Sequence, residues 1–321
     1  MNPKLTIGTS LLCLGIVAGC LDPSAGGNLV PKTVDEDPSL PQLALRDTTF
    51  HLQTFGKKGD PVVIMLHGGP GVDYRYMLPL AALADDGFFV VFWDQRGTGL
   101  SRRHDCAEIT ADAYLKDLEA IVDRFARSPT DRVSMFGRSW GAMYAAMYTN
   151  EHPDRVARLA LQEPGAFTKA ELDGYIKRLQ KIALFGETFN DAAFFARVLT
   201  PDDHARADFR QALLSTITEE PFGMSPTQHE PFWRFGAVAA RCLPQSAGNF
   251  DFTTNLSRYT DEVLFLRGEL NKVHTLESQL TLAAHFPHAH VVTIPGVGHD
   301  MITVAPEQTL ALVRAQLEGV R

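Results

Sequence analysis

The feature that most restricts this chain is a series of short runs that are apolar without alternation, each closed by a turn. Residues 61–66 (PVVIML) end at His67-Gly68-Gly69, residues 88–93 (FFVVFW) end at Asp94-Gln95-Arg96-Gly97, and residues 132–136 (RVSMF) end at Gly137. Residues 156–162, 263–267 and 291–294 continue the series. A strand with one wet face alternates apolar and polar residues; a strand apolar on both faces belongs in a parallel sheet covered on both sides. Between the runs, Tyr114, Leu118, Ile121, Val122 and Phe125 repeat at helical spacing, as do Leu310, Val313 and Leu317. The alternation predicts an α/β fold, a mostly parallel sheet flanked by helices and joined by right-handed crossovers. In such sheets ligands sit beyond the carboxyl ends of the strands, and the glycine-rich segments fall there.

Residues 165–250 break the alternation, with helical pattern and no convincing strand. The segment is too long for a loop in a compact domain, so it is predicted as a helical cap inserted into a core made of residues 45–164 and 251–321. It carries Phe185, Phe189, Phe194, Phe195, Phe209, Phe232, Trp233 and Phe235, which suit an apolar substrate and a cap core equally.

The start of the chain has another character. A short beginning with Lys4 leads into residues 5–19, which are apolar or small, the layout of a secretory signal. The closing Val17-Ala18-Gly19-Cys20 resembles the lipobox of bacterial lipoproteins. That resemblance implies removal of a signal peptide at 1–19, acylation of Cys20 and anchoring to a membrane, where several acyl chains hold firmly and one alone would not. Leu21 after the cysteine implies the outer membrane of a bacterial envelope, with the protein on its periplasmic or surface side. Residues 20–44, with Pro23, Pro31, Pro38 and Pro41, are predicted as a flexible tether. Cys106 and Cys242 then remain; an oxidising compartment would let them pair, while two buried thiols packed as small hydrophobes are the alternative. A net charge of −8 argues against nucleic acid as a partner. Past the N-terminus no apolar stretch is long enough to span a bilayer.

Three motifs carry chemistry. Gly137-Arg138-Ser139-Trp140-Gly141 joins an apolar strand to a helix of small residues, the context of a nucleophile elbow. A serine on so sharp a turn needs small neighbours, and the turn lifts its hydroxyl above the sheet. The following helix offers its N-terminus, where the Trp140 amide can face a developing oxyanion. His67-Gly68-Gly69-Pro70-Gly71 follows an earlier strand; its glycines let the backbone approach a substrate, and the Gly69 amide would complete the oxyanion hole. His67 is expected to orient this loop rather than react. Gly296-Val297-Gly298-His299-Asp300 follows the last strand, where this order of motifs places the base. An imidazole can take the serine proton and return it to the leaving group. Asp300, adjacent to the histidine, is expected to be loop or solvent-facing.

Together these motifs, with Asp94-Gln95-Arg96-Gly97-Thr98-Gly99-Leu100-Ser101, resemble the proline iminopeptidase branch of the α/β hydrolases, peptidase family S33, over residues 48–164 and 260–321. The resemblance implies a Ser-His-acid triad, an oxyanion hole, and neither metal nor cofactor. It gives Asp94 and Arg96 a structural part near the site. The implied substrate is a short peptide with N-terminal proline or another apolar residue. Carboxylesterase action on small apolar esters is the close rival, and a non-catalytic, ligand-binding surface lipoprotein the distant one.

The chain departs from that family at two places. The triad acid usually follows the penultimate strand, yet Leu266-Arg267-Gly268-Glu269-Leu270-Asn271 has asparagine there. An amide can hydrogen-bond the ring but cannot stabilise an imidazolium by charge. Glu163, at the end of the strand after the nucleophile helix, is the favoured replacement, and Glu269 the other candidate. Some α/β hydrolases, including a branch of the haloalkane dehalogenases, look similar in placing the acid there with Asn at the later position. Family aminopeptidases also use cap carboxylates to bind the substrate ammonium, often near a Trp-Glu pair. No such pair occurs here; Glu230 or Glu219-Glu220 could serve, and a charged helix face would account for each equally.

Overall fold

A computed structural model describes residues 30–182, 204–215 and 233–319. The expected signal peptide and Cys20 lie outside them, as do Phe185, Phe189, Phe194, Phe195, Phe232, Glu219, Glu220 and Glu230. Eight strands form one sheet in the order β1-β2-β4-β3-β5-β6-β7-β8. They are β1 (Gln42–Leu45), β2 (Thr48–Phe55), β3 (Val62–Leu66), β4 (Phe89–Trp93), β5 (Val133–Arg138), β6 (Val156–Gln162), β7 (Val263–Gly268) and β8 (Ala289–Ile294). β1–β2 and β2–β4 pair antiparallel; every later pair is parallel. All residues of β3 and β5 are buried, which is why both read as continuous apolar runs. β1 and much of β2 are half exposed, so neither carries that signal.

Helices cover both faces. On one lie α1 (Ala111–Phe125) and α2 (Trp140–Glu151), packed with Trp93, Met135 and Phe265. On the other, the 3-10 segment Arg75–Ala84 and the C-terminal helices α7 (Met301–Val304) and α8 (Pro306–Glu318) close over Phe92, Phe136 and Leu266. Between them, α6 (Leu276–Ala283) joins β7 to β8.

The insertion between β6 and β7 shows three described helices, α3 (Lys169–Ile182), α4 (His204–Ser215) and α5 (Ala237–Ser246). Its two ends are pinned together, since Lys169 N–H donates to Phe250 O at 3.0 Å and Phe252 N–H to Phe167 O at 2.8 Å. Cys106, on the core, forms a disulfide with Cys242 of α5, Cα atoms 5.4 Å apart. This resolves the choice that the sequence leaves open between a bond and two thiols.

The expected tether is shorter than residues 20–44. Val34 is buried, and its N–H donates to Leu100 O at 2.8 Å. Glu36 and the Pro31 carbonyl bind the Arg234 guanidinium at 3.0 and 2.8 Å. A buried valine and a carboxylate facing a cap arginine outweigh the proline-rich composition, and Gln42–Leu45 adds a strand to the sheet edge.

Candidate active site

Ser139 sits between β5 and α2 with φ 53° and ψ −116°, a region that non-glycine residues occupy only when the surroundings impose it. The surroundings are tight. A Cβ at Gly137 would collide with the Gly141 carbonyl, and one at Gly141 with the Leu66 carbonyl, so both neighbours of the turn must be glycine. Ser139 N–H is fixed by Gln162 O at 2.7 Å. The side chain is half-buried while Trp140, the first residue of α2, is buried.

The His67–Gly71 loop lies against this turn. A Cβ built on Gly68 would stand 3.4 Å from Ser139 Cβ and 3.2 Å from Arg138 O. Gly68 N–H donates to the Tyr76 hydroxyl at 2.7 Å, and Gly69 has φ 113°. His67 is buried, accepts Gln95 N–H at Nε2 (3.0 Å) and bonds Gly68 O through Nδ1 (3.0 Å). Burial lowers its pKa, and a ring that must accept at Nε2 is neutral, so His67 holds the loop. Gln95 links loop to elbow: its amide donates to His67 O and accepts from the Trp140 indole, both at 2.9 Å.

His299 lies within the loop after β8 and is buried, as is Glu163. Glu163 follows β6 at φ 45°, a second strained non-glycine position, with its N–H held by Leu266 O at 3.0 Å. His299 Nδ1 meets Glu163 Oε2 at 2.5 Å. The remaining carboxylate capacity is filled: Gly268 N–H donates to Oε1 at 2.8 Å and Asn271 Nδ2 to Oε2 at 2.9 Å. Asn271 thus binds the carboxylate rather than the ring. Its Oδ1 accepts Val273 N–H and His274 N–H, both at 3.0 Å. Glu269 is exposed and turned to Gly296 N–H at 2.9 Å, bracing the histidine loop from outside.

Burial pushes Glu163 up to about 8, against the pull of its two donors and of Arg138 and Arg267. The His299 imidazole is driven well below its ordinary value, by burial first and by Arg138 and His274 after it. Arg138 and Gln162 also fix the loop, donating to His299 O at 2.8 Å (Nη2) and 3.0 Å. Gln162 therefore grips the backbone at both 139 and 299.

Asp300, expected at the surface, is buried and caps α7, its carbonyl accepting Thr303 and Val304 N–H. Asp94 and Arg96 are structural. Asp94 receives Tyr74 N–H, Leu100 N–H and the His51 ring; Arg96 forks onto Asp117 at 2.7 and 2.9 Å and onto Asp47. Among the described residues no cluster of His, Cys, Asp or Glu is arranged to hold a metal ion. Sequence reasoning did not find Arg138, Gln162, Gln95 or His274, although Gln95 and Arg138 stand inside recognised motifs.

The cap meets the site at Gly71. A Cβ there would press on Ala240 and Phe235 at 2.8 and 2.9 Å, and Gly236 N–H donates to Gly71 O at 2.6 Å. Cap residue Trp233 donates its N–H to Asp73.

The chain is similar to several known proteins. A probable proline iminopeptidase of Leptolyngbya boryana is 25% identical over 293 residues, covering 82% of this chain and 88% of that protein. The proline iminopeptidase of Arabidopsis thaliana is 32% identical over 133 residues, 40% of this chain, a match spanning 33% of that enzyme's length. The solved structure of a proline iminopeptidase-related protein from Thermus thermophilus superimposes with a TM-score of 0.63 at 20% identity, covering 87% of this chain and 96% of that one. The profile of the α/β hydrolase fold matches residues 61–306, and in keeping with the strand order and the Ser139 turn, this chain belongs to the α/β hydrolase family.

Proposed function

We propose that this hydrolase cleaves amide or ester bonds through an acyl-enzyme, as a proline iminopeptidase-like aminopeptidase, with Ser139 as nucleophile, His299 as base and Glu163 as the acid that orients it. Ser139 Oγ attacks the substrate carbonyl carbon while His299 Nε2 takes the hydroxyl proton. The amides of Gly69 and Trp140 receive the oxyanion. The imidazolium then gives its proton to the leaving amine or alkoxide; water, deprotonated by the same ring, releases the acid. The observation that carries the reading is the 2.5 Å contact of His299 Nδ1 with Glu163. A donor bond at Nδ1 leaves Nε2 to act as the base, and a carboxylate there stabilises the ring as it becomes charged.

Relatives named as proline iminopeptidases support the aminopeptidase form. Ester cleavage is the second reading, favoured by the apolar Phe235 and Ala240 that the cap presents to Gly71, which offer nothing to a substrate ammonium. The same proposal includes export and lipid anchoring at Cys20 on the outer membrane, with the Cys106–Cys242 bond as support, since such bonds persist in oxidising compartments.

Assaying the full chain in detergent with a prolyl arylamide and a nitrophenyl ester separates the readings. Faster turnover of the arylamide is expected. Ester turnover alone makes it a carboxylesterase, and turnover of neither, with no labelling by a fluorophosphonate, leaves a non-catalytic binding lipoprotein.

A further inference from the structure

We infer that His274 is a positioning residue for the proposed reaction: its ring, stacked flat on His299, holds the plane of the catalytic imidazole and ties that plane to the cap. The inference rests on the reading of His299 as the base. The two rings lie with centroids 5.0 Å apart and planes 5° from parallel. The Glu163 carboxylate meets the His299 ring at one atom, Nδ1. A ring anchored through Cβ–Cγ and at Nδ1 keeps its remaining freedom as tilt of its plane, and in the proposed reaction such a tilt would shift Nε2 from the line of proton transfer. A flat group laid along the ring face blocks it.

His274 is held firmly enough to do this. Its N–H donates to Asn271 Oδ1 at 3.0 Å, and its carbonyl accepts Arg267 Nε at 2.9 Å. Tyr175 of α3 packs on the ring at 5.2 Å and 46°. Another residue of that helix, Arg178, donates from Nε to the carbonyl of neighbouring Val273 at 3.1 Å. A continuous path therefore runs from cap helix α3 through Tyr175 and His274 to His299 and Glu163. Asn271 has two parts in it, holding Glu163 with its amide nitrogen and the His274 turn with its oxygen.

Chemistry also favours an aromatic ring at 274. Burial pushes the His274 pKa down to about 3, so it stays uncharged where His299 works. An uncharged ring face beside a forming imidazolium attracts it, where a second cation would repel it. An aliphatic side chain fills space but supplies neither flatness nor that face.

The test replaces His274 with Leu and with Phe in the full chain, alongside His299→Ala, and reads kcat and KM separately. Misplacing a reacting group by about an ångström costs up to about 100-fold. His274→Leu is expected to lose about 10- to 100-fold in kcat with KM nearly unchanged, and His274→Phe to recover most of the loss. If the Leu variant fails to fold, His274→Asn takes its place, and its kcat must fall in the same way. An unimpaired His274→Leu, or a folded Phe variant as slow as the Leu one, overturns the inference while an inactive His299→Ala leaves the base assignment standing. A fully active His299→Ala overturns both.

Discussion

Replacing Glu163 with Gln removes one charge and almost no volume, and the structure dictates how the amide would fail. Glu163 has donors on both oxygens: Gly268 N–H on Oε1, and Asn271 Nδ2 with the His299 ring on Oε2. A glutamine has one oxygen to offer. Turned to Gly268, it points its NH2 at His299 Nδ1, so the ring must accept there and carry its proton on Nε2, where it cannot deprotonate Ser139. Turned to His299, it sets NH2 against the buried Gly268 amide, an unmet donor costing about 1–3 kcal/mol. Neither state has a carboxylate to stabilise the imidazolium. Loss of that charge with geometry kept costs about 10⁴ in kcat, or about 5.4 kcal/mol. Steady-state kcat for Glu163→Gln, with Glu269→Gln beside it, reads the effect. Returning the acid by Asn271→Asp in the Glu163→Gln background is expected to recover part of the rate, because position 271 already reaches the Glu163 carboxylate at 2.9 Å. Full activity in Glu163→Gln together with loss in Glu269→Gln would refute the reasoning.

Other consequences follow from the same contacts. The bond between Cys106 and Cys242 closes a sequence separation of 136 residues, so the double Ser variant is expected to lose about 5 kcal/mol by loop entropy. That corresponds to a Tm about 8 °C lower in a scan under oxidising conditions; an unchanged Tm contradicts it. In the proposed mechanism both Glu163 and His299 must be deprotonated before attack, so the rate rises with pH. With Glu163 pushed up to about 8 and His299 pushed down, the limb of kcat/KM belongs to the carboxylate and lies above the ordinary histidine value. A limb centred below about 6 would contradict that ordering.

Much of this architecture was legible because burial writes itself into sequence. β3 and β5 are apolar throughout since both faces are covered. β1 and β2 were illegible for the converse reason: at a half-exposed antiparallel edge, Gln53 and Thr54 look like loop, and the buried His51 is polar and carries no apolar signal. The tether boundary misled because one buried valine and one ion pair carry no periodicity. At the site, Ser139 and His299 stand in short motifs that strained turns require. Glu163 was legible through a departure, the asparagine at 271. Arg138 and Gln162 were not, because their bonds to the His299 carbonyl join residues 161 and 137 positions apart. His274 was hidden in the same way: a parallel ring stack depends on how two loops meet, and no local pattern encodes it.

Labelling of the full chain by a fluorophosphonate tests the central claim most directly, because the reagent reacts only with a serine whose hydroxyl is deprotonated beside oxyanion donors. The wild type should be modified once, at Ser139, with labelling abolished in Ser139→Ala and much slowed in His299→Ala. Undiminished labelling of Ser139→Ala, or a folded wild-type chain that resists the reagent entirely, would contradict it.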